Sequence, residues 1–483
     1  MTNSIDFKGN DKLLLGIILG VLAFWLFAQT TLNINVDMAK DLHMDAAMMN
    51  IAVSVTALFS GIFIVVFGGL ADKVGRMKII RIGFYFSIVG SLLVGLTPTG
   101  HAAGLVLILG RIFQGLSAAA IMPASLALVK AYWAGKERQR AISLWSMGSW
   151  GGSGFAALFG GLMVSVGWRW IFIAAAAVSI IGLILINGTP ESKAVQKEQP
   201  KNDYAGIITF MLAMIALQIL IAKGAQLGFT SVAGIVLMAA ILLFSILFFY
   251  IEKEKKGAFI DFKLFHNLIF TGATISNFLL NGTAGILIVS LMLLQVGGNL
   301  SAQEAGMLTL GYAIAIVLFI RTGEKLLQRF GARKPMIWGS LIVALAIILL
   351  MFTNVMTGTY KILAMIAYTL FGLGLAFYAT PSTDAALSNL PADQAGAGSG
   401  IYKMASSLGA ALGVAISAGI FAAFNVGNPI QWMEGVLTFE GRQDNVMVRQ
   451  AAIVGLGVNL LMVVMAILFI MITIPKSTGK SNA

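Results

Sequence analysis

Residues 13–36 read LLLGIILGVLAFWLFAQTTLNINV. The run is far longer than the roughly 4–8 residues of an ordinary strand. It matches the roughly 20 residues a helix needs to cross about 30 Å of hydrocarbon. Lipid offers backbone amides no partner, so such a segment satisfies them internally, as a helix. Its second half is not uniformly apolar. Gln29, Asn33 and Asp37 recur every four residues and share one helix face. A polar face on an apolar helix suits a cavity rather than lipid.

Thirteen further stretches read the same way: 47–70, 78–97, 104–129, 139–163, 170–188, 204–223, 231–250, 267–293, 303–321, 335–353, 361–385, 396–422 and 447–472. The whole chain agrees with that pattern. Of 483 residues 58% are hydrophobic and only 11% charged, against roughly 25% charged in soluble domains. So few charges cannot cover a soluble surface, which excludes a soluble enzyme, a disordered chain and a nucleic-acid binder. There is no cysteine, hence no disulfide or thiolate metal site, and the three histidines (His43, His101 and His266) lack metal spacing. No Walker motif is present, and nothing calls for a cofactor.

The net charge of +12 is distributed by side. With both termini inside, the basic residues gather in the inner loops and tails. The outer side holds Lys40, Arg169, Lys223, Lys361, Arg442 and Arg449, and the spans keep Arg111 and Lys403. This follows the positive-inside rule and predicts a multi-pass protein of a bacterial-type cell membrane with cytoplasmic termini. The first apolar run continues too far for a cleavable signal peptide. The basic loop 130–140 reads as a topology anchor. The outer loop 423–446, with Pro429, Trp432, Glu434, Glu440 and Asp444, reads as a linker, and the polar segment 189–203 as a break between bundles.

An internal repeat sets the organisation. Residues 68–78 read GGLADKVGRMK and residues 324–334 read EKLLQRFGARK. Aligned on Gly75 and Gly331, Lys73 faces Arg329 and Leu70 faces Leu326, while Asp72 becomes Gln328. One loop follows span 2 and the other span 10, as expected of two six-span units with two spans between them. Paired units are the frame of alternating-access carriers. Gly68 and Gly75 read as residues of a tight turn. Asp72 and Arg76 either gate the inner side, with Asp72 accepting from freed helix-end amides or pairing with a basic residue, or belong to a solvated turn.

Charges and polar groups within spans are the remaining clues. Arg111, in LILGRIFQGL, either snorkels outward or joins a buried network with Gln114. Asp37 is either a group that takes up and releases a proton or an outer helix cap. Asp384, in YATPSTD, is the second proton candidate or a helix end dipping into water, and Pro381 can kink that helix. Asn277 and Asn281 lie one turn apart, Tyr378 shares the Asp384 stretch, Lys403 is a weaker cavity candidate, and Glu324 reads as a surface or loop-pairing charge. Phe24, Trp25, Phe27, Trp145, Trp150 and Phe155 either fill helix contacts or form an aromatic surface for flat, amphipathic or cationic ligands. WRWIF at 168–172 reads as an interfacial belt.

These residues carry a family resemblance. G68-x-L-A-D-K-V-G-R76 resembles the inner-loop signature of the major facilitator superfamily, and L107-x-x-x-R111-x-x-Q114-G115 its span 4 signature. W168-R-W-I-F172 resembles the entry to span 6, and D203-Y-A-G206 the start of span 7 in the fourteen-span drug:proton antiporters. The resemblance covers the whole chain. It implies an all-α polytopic membrane protein with the major facilitator fold: two six-helix bundles (1–188 and 267–483) plus two inserted helices within 189–266. It implies no enzyme, and proton-coupled efflux of amphipathic, cationic small molecules from a lipid membrane, with Arg111 linked to coupling. Two departures stand out. Drug exporters carry an acid midway along span 1, where this chain has Ala28, so the proton-carrying role passes to Asp37 or Asp384. The Gly-Pro of the span 5 antiporter signature is absent from A156-A-L-F-G-G161. The alternative function is a carrier of one metabolite, lipid or organic anion. A non-transporting membrane protein would need neither the repeat nor the polar faces.

Overall fold

A computed structural model describes residues 7–476 except 45, 165, 194–202, 229, 254, 256–257, 259, 261, 425–429, 431–432 and 434–436. Pro429, Trp432 and Glu434 of the outer loop lie outside these residues, as does the side chain of Asn33. The described residues are helical and contain no strand. Twelve helices among them are long and apolar enough to cross a membrane. The other two apolar stretches of the sequence fall on a continuous helical path, Gly135–Ser146, Met147–Gly151 and Gly152–Val164, and on Tyr204–Leu227. Glycine, serine and tryptophan dilute the apolar character of the first of these.

The helices group into two compact units. The first comprises Met1–Phe270 with Ala386–Met404, the second Thr271–Ala385 with Ala405–Ala483. In the first unit, small residues let helices approach closely, as lipid-embedded packing requires. A Cβ on Gly90 would meet the Gly110 carbonyl at 2.8 Å, and one on Gly110 would meet the Gly90 carbonyl at 3.0 Å. Arg76–Gly95 and Ala103–Tyr132 therefore cross nearly backbone to backbone. Some of the buried polar groups pair across helices, such as Ser87 with Ser179 at 2.7 Å.

Span 1 is not a regular helix. Asp11–Leu22 is α-helical, Ala23–Phe27 is π-helical, Ala28–Thr30 is a 3-10 turn, and Thr31–Leu42 returns to α. A second π segment, Met147–Gly151, interrupts span 5. Such interruptions cost regular hydrogen bonds and mark places where the backbone serves another purpose.

In the second unit, Thr357–Ser388 is one continuous helix that contains Pro381. Tyrosine hydroxyls tie its interior together. Tyr378 pairs with Ser276 at 2.7 Å and Tyr368 with Ser290 at 2.6 Å. Arg449 is buried and donates to the carbonyls of Val355, Glu440 and Arg442, so it anchors the turns around it rather than facing water.

Candidate functional site

Gly68 does not belong to a turn. It lies within the helix Ala46–Val74, where an added Cβ would sit 2.5 Å from the Gly396 carbonyl; one on Gly396 would sit 2.3 Å from the Gly68 carbonyl. The turn expected here is made by Gly75 alone, at φ +131°, a backbone geometry that L side chains resist. Close approach at Gly68 brings Asp72, one turn further on, against the first residues of the helix Ala395–Phe424, within the same unit.

Asp72 is buried there and saturated with donors. The Gly396 amide donates to both carboxylate oxygens, at 2.9 and 2.8 Å, and the Ala397 amide to Oδ2 at 3.0 Å. Arg76 donates to Oδ1 from Nε at 3.1 Å and Nη2 at 2.8 Å. A carboxylate on the free amides of a helix start gains from both hydrogen bonding and the helix dipole. Asp72 thus accepts from helix-end amides and pairs with Arg76 at the same time.

Other basic side chains hold the same segment. Arg76 donates to the Ala392 carbonyl at 2.7 Å, Lys130 to the carbonyls of Leu387 and Leu390, and Arg138 to the Ser388 hydroxyl at 2.7 Å. The loop read as a topology anchor thus also makes directed contacts. Glu191, from the linker after span 6, caps the helix starting at Arg76 by accepting from the amides of Met77 and Lys78 at 2.8 and 3.0 Å.

Arg111 is buried and belongs to a network, not to a snorkelling helix end. It donates to Gln114 Oε1 at 2.7 Å, to the Ala52 carbonyl at 3.1 Å and to the Ala28 carbonyl at 2.8 Å. No carboxylate shares in these bonds. The irregular backbone of span 1 explains how: the turn at Ala28–Thr30 presents a main-chain oxygen to the guanidinium. A backbone oxygen thus occupies the place where the resemblance led one to look for an acid.

The remaining residues are placed as follows. Gln29 and Trp150 are half-buried, and Asp37 is exposed. Trp145 is buried and donates from Nε1 to Ser125 at 2.9 Å. Lys403 is buried with its ammonium 4.8 Å from the centre of the Trp145 ring. In the second unit, Asn281 donates to the Asn277 carbonyl at 2.7 Å and to its Oδ1 at 2.9 Å, and Asn277 donates to Ser406 at 2.6 Å. Asp384 is buried, not dipping into water. Glu324 is likewise buried rather than at the surface, paired with Arg321 at 2.9 Å and accepting from Gln328 at 3.2 Å. At WRWIF only Trp170 is exposed. Trp168 is buried, and its Nε1 and the Arg169 guanidinium both donate to Asp41. The hydrogen bond from Arg169 holds the Asp41 carboxyl below its ordinary value.

Helices irregular at a buried arginine, a carboxylate-capped helix start and an all-helical membrane architecture together define a transporter of the alternating-access kind. The chain belongs to the Major Facilitator Superfamily, whose family model matches residues 13–254, 204–414 and 268–483. Among curated proteins it is 45% identical to the quinolone resistance protein NorB of Staphylococcus aureus (strain bovine RF122 / ET3-1) over 471 residues, 97% of each chain. It is 48% identical to the NorB protein of strain MRSA252 over 417 residues, 86% of this chain and 89% of that one. These relatives agree with the drug-transporter branch that the motifs resembled. Two solved structures share the fold. The human organic anion transporter MFSD10 (TETRAN) has a TM-score of 0.63 at 12% identity, covering 94% of this chain and 98% of that one. The proton:xylose symporter XylE has a TM-score of 0.62 at 16% identity, covering 97% and 96%.

Proposed function

We propose that this protein is a proton-coupled exporter of amphipathic drugs, quinolones among them, working by alternating access across the cell membrane. Near-full-length similarity to the quinolone resistance proteins carries the reading. In it, all fourteen apolar stretches cross the membrane, with both termini inside, as two six-span bundles and an inserted pair. Asp72, Arg76, Gly68 and Gly75 form the inner gate. Amides donated to Asp72 hold the start of the helix Ala395–Phe424, and opening requires their release.

Proton exchange falls to carboxylates elsewhere in the chain. Asp384, buried in a polar stretch, is the first candidate carrier; exposed Asp37 comes second. Arg111 holds span 1 in its irregular shape through the Ala28 carbonyl. Gln29, Asn33, Gln114, Trp145 and Trp150 are the candidate substrate-contacting residues of the first unit, and Asn277, Asn281 and Tyr378 are those of the second.

Reconstituted protein tests this. An imposed proton gradient should drive quinolone movement, and a quinolone gradient should drive protons the other way. Asp384→Asn should abolish the coupling while leaving the melting temperature unchanged. Active, folded protein that moves neither species would refute the exporter reading, and coupling intact in Asp384→Asn would reject that carboxylate.

A further inference from the structure

Lys403 is the least satisfied charge in the first unit. It lies on the helix Ala395–Phe424, and only 5% of its surface is exposed. Among the described residues no carboxylate pairs with it and no oxygen accepts from its ammonium; its one directed contact is the face of Trp145, 4.8 Å away. A buried ammonium loses its hydration, and a ring face returns only part of that loss. Buried charges are ordinarily paired.

The two helices that meet at this contact also carry buried hydroxyls without a hydrogen-bond partner. Ser399, one turn before Lys403 on the same helix face, carries a buried hydroxyl without a hydrogen-bond partner. The hydroxyls of Ser143 and Ser146, on either side of Trp145, are buried and unpartnered as well. Trp145 itself is fixed: its Nε1 is committed to Ser125, which in turn donates to the Met122 carbonyl at 2.9 Å. A fixed aromatic face and a buried ammonium without an acceptor meet here, and both helices carry spare hydroxyls. What the contact lacks is an anion attached to something flat.

We propose that Lys403 on Trp145 is the subsite for the carboxylate of an aromatic, carboxylate-bearing substrate. The inference rests on the exporter reading and deepens it by naming the charge class. Lys403 supplies the counter-charge, Ser399 a second donor, and Trp145 the surface for the adjoining ring. Arg111 is a second buried cation of the unit that no carboxylate hydrogen-bonds. This reverses the preference for cations expected from sequence. Access follows from the gate: Lys403 lies two turns after Gly396 on the helix held by Asp72, so freeing that helix start frees the elements that enclose the subsite.

The test compares a fluorescent quinolone carboxylic acid with its methyl ester, which keeps the ring and loses the anion, in proteoliposomes under a proton gradient. Wild type should transport both, the acid with the lower KM. Lys403→Gln should raise KM for the acid about 10- to 100-fold, the scale of one charge-assisted hydrogen bond lost, while KM for the ester stays within about twofold. Ester transport then certifies that the variant folds, and Lys403→Arg should restore the acid. Equal effects on acid and ester, including a loss of both that Lys403→Arg reverses together, would make Lys403 a proton carrier or a packing residue and overturn the assignment. So would a wild type that moves the ester and not the acid. Wild-type protein that moves neither compound overturns the exporter reading itself, a result distinct from all of these.

Discussion

Replacing Asp72 with Asn should release the start of the helix Ala395–Phe424. The carboxylate accepts from two backbone amides and from two nitrogens of Arg76, all within 3.1 Å. Asn offers one acceptor oxygen and turns an NH2 toward donors. At least two charge-assisted bonds are then lost or weakened to neutral ones, and Arg76 loses its counter-ion. Each bond to a charged group contributes roughly 1.5–3 kcal/mol net and a neutral one roughly 1 kcal/mol. The closed arrangement should lose about 3 kcal/mol, about two powers of ten in the opening equilibrium. The chain has no cysteine, so Ser399→Cys provides a single thiol at a fully buried position. Labelling by a membrane-impermeant maleimide in inside-out vesicles should accelerate by up to about 100-fold in Asp72→Asn. It should do so at high salt too, because the pair is buried and poorly screened. A labelling rate within threefold of the parent would refute the latch.

Other expectations follow from the same contacts. Gly396→Ala places a methyl 2.3 Å from the Gly68 carbonyl, so the melting temperature in detergent should fall by the equivalent of about 1–3 kcal/mol, the usual cost of overpacking; an unchanged melt would show that the crossing is loose. Arg111→Gln removes the guanidinium donor from the Ala28 and Ala52 carbonyls, which should cost about 1.5–3 kcal/mol per charge-assisted bond lost and bring faster hydrogen exchange across residues 23–31. Protection equal to wild type would mean that the irregular turn does not need the guanidinium. Burial raises the pKa of Asp203, but hydrogen bonds from Glu252, Lys255 and the Gly206 amide outweigh it and hold the carboxyl at about 2. A depressed carboxyl contributes stability above its unfolded value, 3.8, and loses it as pH falls toward about 2. Asp203→Asn should therefore lower the melting temperature at pH 7 and make little difference near pH 2; an equal deficit at both would assign the effect to packing.

The fold was legible because lipid imposes one rule on every span, and long apolar runs report it. For Asp72 the sequence named the partners that the structure shows, free amides and a cation, beside the alternative of a solvated turn. What escaped was whatever the backbone supplies. Arg111 finds its acceptors in main-chain oxygens of Ala28 and Ala52, and every residue type carries that oxygen, so no side-chain pattern announces it. Gly68 looked like a turn residue because a missing Cβ serves a sharp bend and a close crossing equally well. The Lys403–Trp145 contact joins residues 258 positions apart (403 minus 145), beyond any helical periodicity. The one available signal was a lysine in an apolar helix with no acid at helical spacing. Glu191 was read as linker because its partners are amides of a remote helix start.

The amides that Asp72 grips belong to the main chain, and this bears on how such a transporter drifts under antibiotic selection. Residue 397 can change its side chain without altering the amide that Asp72 reads, so mutations that reshape drug preference along this helix need no compensating change across the contact. Position 396 is constrained by the absence of a side chain, as Gly409 and Gly413 are further along the helix. A population can therefore explore new specificities on the helix while its latch is inherited intact.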